Sequence, residues 1–346
     1  MNDQQIPSVS SGGVMPAEWA RHERCLMAWP TRDSLWSGYA DEAKREYAAT
    51  ANAIADFEPV TMVASPGQGD QVRALCTSGV DVVEIPIDDS WLRDSGPIIA
   101  FDGNGQRIGI DFGFNSWGER FKPFDKDAAV GSAILSHLEI PRVASAMILE
   151  GGSITVDGEG TLITTEQCLL NHNRNPSMSR ESIEAELRSM LGVSTIIWLK
   201  WGHFEDGHTD GHVDGVCTYA APGVVVAQTC EDPENPNYEL MAENLAILRG
   251  ARDAQGRALD IVELPHLPYF QLGAEELLTS YPNFYVANGA VIVPTSGGAL
   301  DASALDILRG AFPDREVVGV VSKVIAYGGG GTHCITQQIP SAVGSN

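Results

Sequence analysis

The chain has 346 residues, and 46 acids against 22 lysines and arginines give it a formal net charge of −24. A surface this acidic repels nucleic acid and anionic membranes and attracts small cations. No window is long and apolar enough to span a bilayer, and the first residues lack the basic-then-apolar layout of a secretory signal. The six cysteines show no zinc-ligand spacing, so the expectation is a cytoplasmic protein with mostly free, buried thiols.

A hydrophobic fraction of 43% supports a sizeable core. The start (residues 1–14) is polar and Gly/Ser-rich, the end (341–346) is similar, and no linker-like stretch lies between them. The expected organisation is one catalytic domain over 15–340 with flexible ends. In chain order, the patterning predicts an amphipathic helix at 41–57, a strand at 60–64, a weaker helix at 67–78 and a strand at 80–85. A loop at 88–97 leads into a hairpin at 96–111, followed by a helix at 125–137 and a strand at 142–149. A second hairpin at 152–166 precedes a helix at 179–191 and a strand at 195–199. A third hairpin spans 215–229, with a helix at 235–249. A fourth spans 283–295, with a helix at 301–311. An incomplete fifth copy follows His333.

Two runs of β-type residues around a Gly-rich or Pro-Gly turn thus recur every ~50–70 residues, which suggests a radially repeated fold. Each unit reads as hairpin, helix, strand, an α/β pattern with helices outside and strands inside. A doubly wound nucleotide fold is disfavoured, because no GxGxxG follows a first strand and no GxxxxGK[ST] occurs. In a radial fold, equivalent ends of the units meet near one axis. Asp94, Glu150, His212 with Asp214, and Cys334 sit at or just before the starts of the copies.

These residue types can do chemistry together. Cys334 follows four glycines in YGGGGTHCITQQ (327–338), a loop that lets backbone approach a ligand closely. A free thiol has a pKa of about 8.5, so a nucleophilic one needs a nearby cation or donor set. Cys25, Cys76, Cys168, Cys217 and Cys230 read as inert thiols. In HTDGHVDG (208–215), His212 and Asp214 flank Val213 and are expected on one face of a strand end, with His212 able to act as general acid and base. Asp94, in WLRDSGP, and Glu150, in EGG, hold parallel positions ahead of their hairpins. Arg93 is available to an acid elsewhere, and Trp91 can supply a flat wall. His203, Asp206, His208, Asp210 and His212 also invite a metal reading, although HExxH is absent. Carboxylates can grip a planar guanidinium bidentately while a thiolate attacks its central carbon and a His protonates the leaving amine. Hydrolysis of a guanidino group suits this set better than proteolysis.

At these residues the chain resembles the agmatine deiminase branch of the guanidine-modifying (pentein) superfamily. The matching stretches are MPAEWARHERCLMAWP (15–30), DDSWLRDSGP (88–97), GFNSWG (113–118), LEGGSITVDGEGTLITTEQCLLNHNRNP (149–176), GHVDG (211–215), NFYVANGAVIVP (283–294) and GGGGTHCITQQ (328–338). The resemblance implies a five-bladed pseudo-symmetric α/β propeller. It implies Cys334 as nucleophile, His212 as general acid/base, and Asp94 and Asp214 gripping the guanidinium. Glu150 would assist His212 and the guanidine nitrogens, and Trp91 would line the pocket. The implied reaction turns agmatine and water into N-carbamoylputrescine and ammonia, a step of polyamine metabolism, through a covalent amidino-thioether. It needs no cofactor and no metal.

Against the family pattern, this chain carries His208 where an acid is usual, Asp210 and Gly215 where Asn is usual, altered Gly331 and Thr332, and a short segment at 264–283. These positions flank the tail end of the pocket and leave the guanidine chemistry intact. A deiminase of another guanidino compound (arginine, a guanidino acid or a peptidyl arginine) is therefore the alternative. Behind it stand a metal-dependent amidohydrolase built on His208, Asp210 and His212, and a non-catalytic binder of small cations. Homo-oligomerisation is left open.

Overall fold

An antiparallel hairpin that returns through a helix to a parallel third strand is the unit of this fold. The structure is a computed structural model and describes residues 12–342. The four expected hairpins pair Ile98–Phe101 with Arg107–Gly113, Ile154–Val156 with Thr161–Thr165, Cys217–Ala221 with Val224–Gln228, and Tyr285–Ala287 with Ala290–Thr295. Gly223 and Gly289 turn two of them at φ +75° and +87°, a region that favours glycine because it lacks Cβ. Each second strand runs on through a helix: Asp127–His137, Arg180–Leu191, Asn237–Gly250 and Asp301–Ala311. The chain then returns as a parallel strand: Arg142–Ile148, Thr195–Leu199, Asp260–Leu264 and Glu316–Val321. Ser179 caps its helix by accepting from the Ser182 N–H.

The fifth unit is closed by the two ends of the chain. Thr336–Pro340 pairs antiparallel with His22–Ala28, with Cys25 opposite Gln338 and Met27 opposite Thr336. His22–Ala28 then pairs in parallel with Val60–Ala64, and that strand with Val80–Glu84. Helix Ala40–Ala55 makes the crossover. Local pattern predicts no strand at His22–Ala28, because HERCLMA lacks period-two alternation and its hairpin partner lies at the far end of the chain.

The core is divided among the seams between neighbouring units. Ile98, Ile110 and Val143 pack with Ile154, Leu162 and Leu187. Ile163 and Leu199 pack with Tyr219 and Val225, and Val226 and Leu264 with Val291 and Leu308. Tyr285 and Ile292 pack with Met27 and Met62, and the ring closes where Leu26 and Val63 meet Ile99 and Ile134. Among the described residues, five seams and five sheets of three or four strands make a five-bladed α/β propeller, and a sixth, two-stranded sheet stands apart from the blades. The inner strands Thr161–Thr165 and Ala290–Thr295 are buried on both faces, whereas the outer strand Arg142–Ile148 alternates between buried and exposed residues.

Of the terminal stretches expected to be flexible, residues 1–11 and 343–346 lie outside the described residues. Within the rest, the Gly13 and Met15 N–H groups donate to Met190 O and Leu191 O, and the Ser341 N–H donates to Arg21 O. No helix of the described residues is long and apolar enough to cross a membrane.

Candidate active site

Every blade brings the segment just ahead of its first strand to a common centre. Asp94 lies in the short helix Leu92–Ser95, and Glu150 precedes the turn Gly151–Ser153. His212 and Asp214 belong to the turn Val213–Gly215, Asn283 precedes Tyr285–Ala287, and Cys334 precedes Thr336–Pro340. The expectation that His212 and Asp214 occupy one face of a strand end is corrected here. The strand begins at Cys217, and the two side chains converge because a 3-10 turn bends the backbone between them. Asp206 shapes that turn by accepting from the N–H groups of Thr209, Gly211 and His212.

The three carboxylates around His212 and Cys334 are packed tightly. His212 Nδ1 lies 3.9 Å from Asp94 Oδ1 and 4.0 Å from Asp214 Oδ1, and Nε2 lies 3.9 Å from Glu150 Oε2. Asp94 is aimed by two donors, the Gly152 N–H at 2.9 Å and the Trp117 indole N–H at 2.8 Å. Glu150 accepts from Arg174 Nε at 2.6 Å in an ion pair shielded from solvent on both sides. Cys334 Sγ lies 3.5 Å from Asp214 Oδ2. Asn283 cradles the thiol: its Nδ2 lies 3.2 Å from Sγ, while its Oδ1 accepts the His333 N–H at 3.0 Å. Gly152 lies at the centre of this arrangement. A Cβ there would fall 2.6 Å from His212 Nδ1, 2.8 Å from Asp214 Oδ2 and 2.9 Å from Asp94 Oδ1.

Burial and mutual repulsion set the electrostatics. Burial pushes the Asp94 carboxyl up; His212 opposes this, while Asp214 and Glu150 add to it. Burial also pushes Glu150 up, but His212 and Arg174 more than offset it and leave that carboxyl low. Burial alone would lower His212, yet Asp94 and the neighbouring acceptors hold it well above its ordinary range, so the ring carries its proton at neutral pH. Burial, then Asp214 and Asp94, drive the Cys334 thiol well up, with the Gly331 N–H and Asn283 opposing. A cation seated among the carboxylates would reverse that effect.

A cavity of about 250 Å³ leads from Cys334, His212 and Asp214 outward past Glu205, His208, Glu275 and Tyr327. No Lys or Arg is among its lining residues. Its outer wall includes Glu275–Leu278, one strand of a hairpin with Tyr269–Leu272 built by the short 264–283 segment. Trp91, only 6% exposed, packs at a tilt against Trp36 and lines a smaller side chamber with Trp117, Phe121 and His208. Gly330 must lack a side chain, since a Cβ would fall 2.4 Å from the Trp91 ring. Arg93 pairs with Glu18 and Gln338 and not with Asp94.

The proposed metal run is pulled apart. Asp210 is engaged by Arg174 and Arg120, His203 Nε2 contacts Gly215 O at 2.7 Å, and His208 packs on Phe121. Among the described residues, the donors close enough to share an ion are instead Glu150, Cys168 and His212.

A family model described as Porphyromonas-type peptidyl-arginine deiminase matches residues 14–340. The chain belongs to this Porphyromonas-type peptidyl-arginine deiminase family. It is 45% identical to an agmatine deiminase of Stutzerimonas stutzeri, over 95% of this chain and 96% of that protein. It is 44% identical to one from Pseudomonas aeruginosa, over 96% of both. Among solved structures, the agmatine deiminase of Enterococcus faecalis superposes with a TM-score of 0.93 at 33% identity, covering 98% of this chain and all of that one. A cysteine-to-serine variant of the C. jejuni agmatine deiminase with substrate bound superposes with a TM-score of 0.88 at 27% identity, covering 99% of both.

Sequence reasoning within this family missed Asn283, His333, Glu18, Arg174 and Gly152. One of these was signalled: Asn283 opens the fourth hairpin in the same place that Asp94, Glu150 and Cys334 hold ahead of theirs.

Proposed function

We propose that this chain is an agmatine deiminase, hydrolysing agmatine to N-carbamoylputrescine and ammonia with Cys334 as nucleophile. One observation carries the reading: Asp94, Glu150 and Asp214 surround His212 within 4.0 Å, with the Cys334 sulfur 3.5 Å from Asp214. Three buried carboxylates around one imidazolium leave excess negative charge, which a planar guanidinium neutralises with directed N–H donors. The names of the relatives at 44–45% identity support the same reaction.

The substrate cation makes its own nucleophile. As the guanidinium seats against Asp94 and Asp214, its charge lowers the thiol pKa, and the Cys334 proton leaves to solvent. The thiolate attacks the guanidine carbon to form a tetrahedral adduct. The C–N bond to one terminal amino group then breaks as His212 protonates that nitrogen, and ammonia departs from the amidino-thioether. His212, now neutral, takes a proton from water and the hydroxide adds to the same carbon; as the C–S bond breaks the hydroxyl proton passes to solvent, giving the ureido product and the thiolate. Glu150 holds guanidine nitrogens and steadies His212 between its two protonation states, and Trp91 forms a wall for the substrate. No metal or cofactor takes part in this path.

The acidic cavity mouth favours a cationic tail. Glu205 and Glu275 face it with no compensating Lys or Arg in the lining, so the α-carboxylate of arginine would be repelled where the amine of agmatine is attracted. The protein is read as cytoplasmic and as one catalytic domain over 15–340. Ammonia release from agmatine, with arginine and a guanidino acid alongside and chelator present, tests the proposal. The expected result is turnover of agmatine that chelator leaves unchanged and Cys334→Ala abolishes. Full turnover by Cys334→Ala would overturn it.

A further inference from the structure

Behind His212 lies a third group that the reaction does not use. Cys168 is completely buried in the short helix Glu166–Leu169. Its sulfur, a ring nitrogen of His212 and a carboxylate oxygen of Glu150 all lie within 4.8 Å of one another. A second observation points into the same space. Glu150 Oε2 and His212 Nε2, which face each other at 3.9 Å, are both buried without a hydrogen-bond partner. Orphaned buried polar atoms are costly, and three donors of sulfur, nitrogen and oxygen type around one point form a ligand set that suits Zn²⁺.

We propose that Glu150, Cys168 and His212 form a zinc site whose occupation reversibly shuts the enzyme down. The site must contract: the His212–Glu150 edge by a few tenths of an ångström, and the Cys168 sulfur, within 4.8 Å of both, by up to about 1 Å. Tetrahedral zinc with ordinary Zn–N and Zn–O bonds separates its ligand atoms by about 3.3 Å. His212 Nε2 and Glu150 Oε2 are 3.9 Å apart, and rotation of the two side chains closes the difference. Arg174 on Glu150 Oε1 opposes a cation, while Asp94 and Asp214 on the other side of His212 favour one. The zinc would displace the thiol proton of Cys168 and the proton of His212, forming one bond to each. The cavity at Cys334 reaches His212 and offers the way in. Zinc on the ring would take the lone pair that must receive the proton of water, so turnover stops. Removing the metal restores it.

Binding and inhibition are tested separately. Zinc titrated calorimetrically into Cys334→Ala protein, in which the nucleophile cannot serve as a ligand, should bind one ion per chain. Adding Cys168→Ala should weaken that binding by more than the ~10–100-fold that loss of an outer-shell support costs. Equal affinity with and without Cys168, or no binding, overturns the site. Should Cys168→Ala fail to fold, cobalt(II) added to Cys334→Ala protein should develop thiolate-to-metal charge-transfer absorption, and its absence overturns the site equally. The inhibition arm rests on the deiminase reading. Zinc should suppress ammonia release and chelator should restore it, and zinc that raises turnover overturns the inhibitory role. The binding arm needs no turnover, so failure of the site and failure of the deiminase reading are distinguishable.

Discussion

Asp214 is held from behind by His333, whose Nδ1 lies 2.8 Å from Asp214 Oδ2. The other ring nitrogen lies 2.8 Å from Glu18 Oε1, and Glu18 pairs in turn with Arg93. His333 directly precedes Cys334, so one backbone segment carries both the thiol and the clamp on the carboxylate beside it. Burial opposes ionisation of Glu18, but His333 and Arg93 override it and hold the carboxyl at about 2. Burial and Arg93 push His333 down, and Glu18 and Asp214 outweigh them to raise it. The Glu18 contribution to stability is present above its ordinary range and lost as pH falls toward 2. The His333 contribution is present below its ordinary range and lost as pH rises through its elevated folded value. The pair is therefore most stabilising in mildly acidic solution.

His333→Ala frees Asp214 to rotate away from the substrate. A hydrogen bond to a charged group is worth about 1.5–3 kcal/mol, so kcat/KM should fall by about 10–100-fold. KM should carry much of the loss, because Asp214 acts on the bound cation. Steady-state kinetics on protein with a native circular dichroism spectrum checks this, and an unchanged KM would remove the positioning role.

Gly152→Ala puts a methyl group between Asp94, Asp214 and His212, less than 3 Å from an atom of each. That methyl occupies the space on which the carboxylates converge. Activity should drop at least about 100-fold, the scale on which a misplacement of about 1 Å acts. Agmatine should also no longer raise the melting temperature. Near-normal kcat/KM in this variant would mean that the guanidinium does not enter there.

Asn283→Asp keeps the acceptor for the His333 N–H but replaces the amide donor 3.2 Å from Cys334 Sγ with an anion. The Cys334 thiol is already pushed up by burial, Asp214 and Asp94, and a further carboxylate raises it more. Thiolate is the reactive form, so the rising limb of kcat/KM against pH should move to higher pH. The pH profile of the variant beside that of the parent provides the readout, and coincident limbs would contradict the cradle.

Asp127 offers a stability test remote from the chemistry. Burial pushes its carboxyl up to about 7; the N–H groups of Asp88 and Asp89 oppose this, at 2.8 and 3.1 Å, and the carboxylates of those two residues add to it. The folded state binds a proton that the unfolded state has already released, so stability falls as pH rises from the ordinary carboxyl range through 7. Asp127→Asn retains the acceptor oxygen and removes the charge. It should be more stable than the parent at pH 8, by on the order of 2–4 kcal/mol, and nearly equal to it at pH 4. Chemical denaturation at the two pH values measures the difference.

Local pattern determined most of the elements. The hairpins at 96–111 and 215–229 form because β-type runs flank Gly-containing turns, and Asp301–Ala311 and Thr195–Leu199 form over the residues their periodicity marks. These signals lie within a dozen residues, the range over which side-chain spacing reports on backbone conformation. Repetition implies convergence, which by itself brings Asp94, Glu150, His212, Asp214 and Cys334 together. Tertiary structure alone decided the rest. His22–Ala28 becomes a strand only because Thr336–Pro340 reaches it from the other end of the chain. Arg174 finds Glu150, His333 finds Glu18, and Cys168 comes to lie beside His212 across separations that no local period encodes. Ring closure sets those distances, because a buried charge or polar atom takes whichever partner the closed propeller puts within reach.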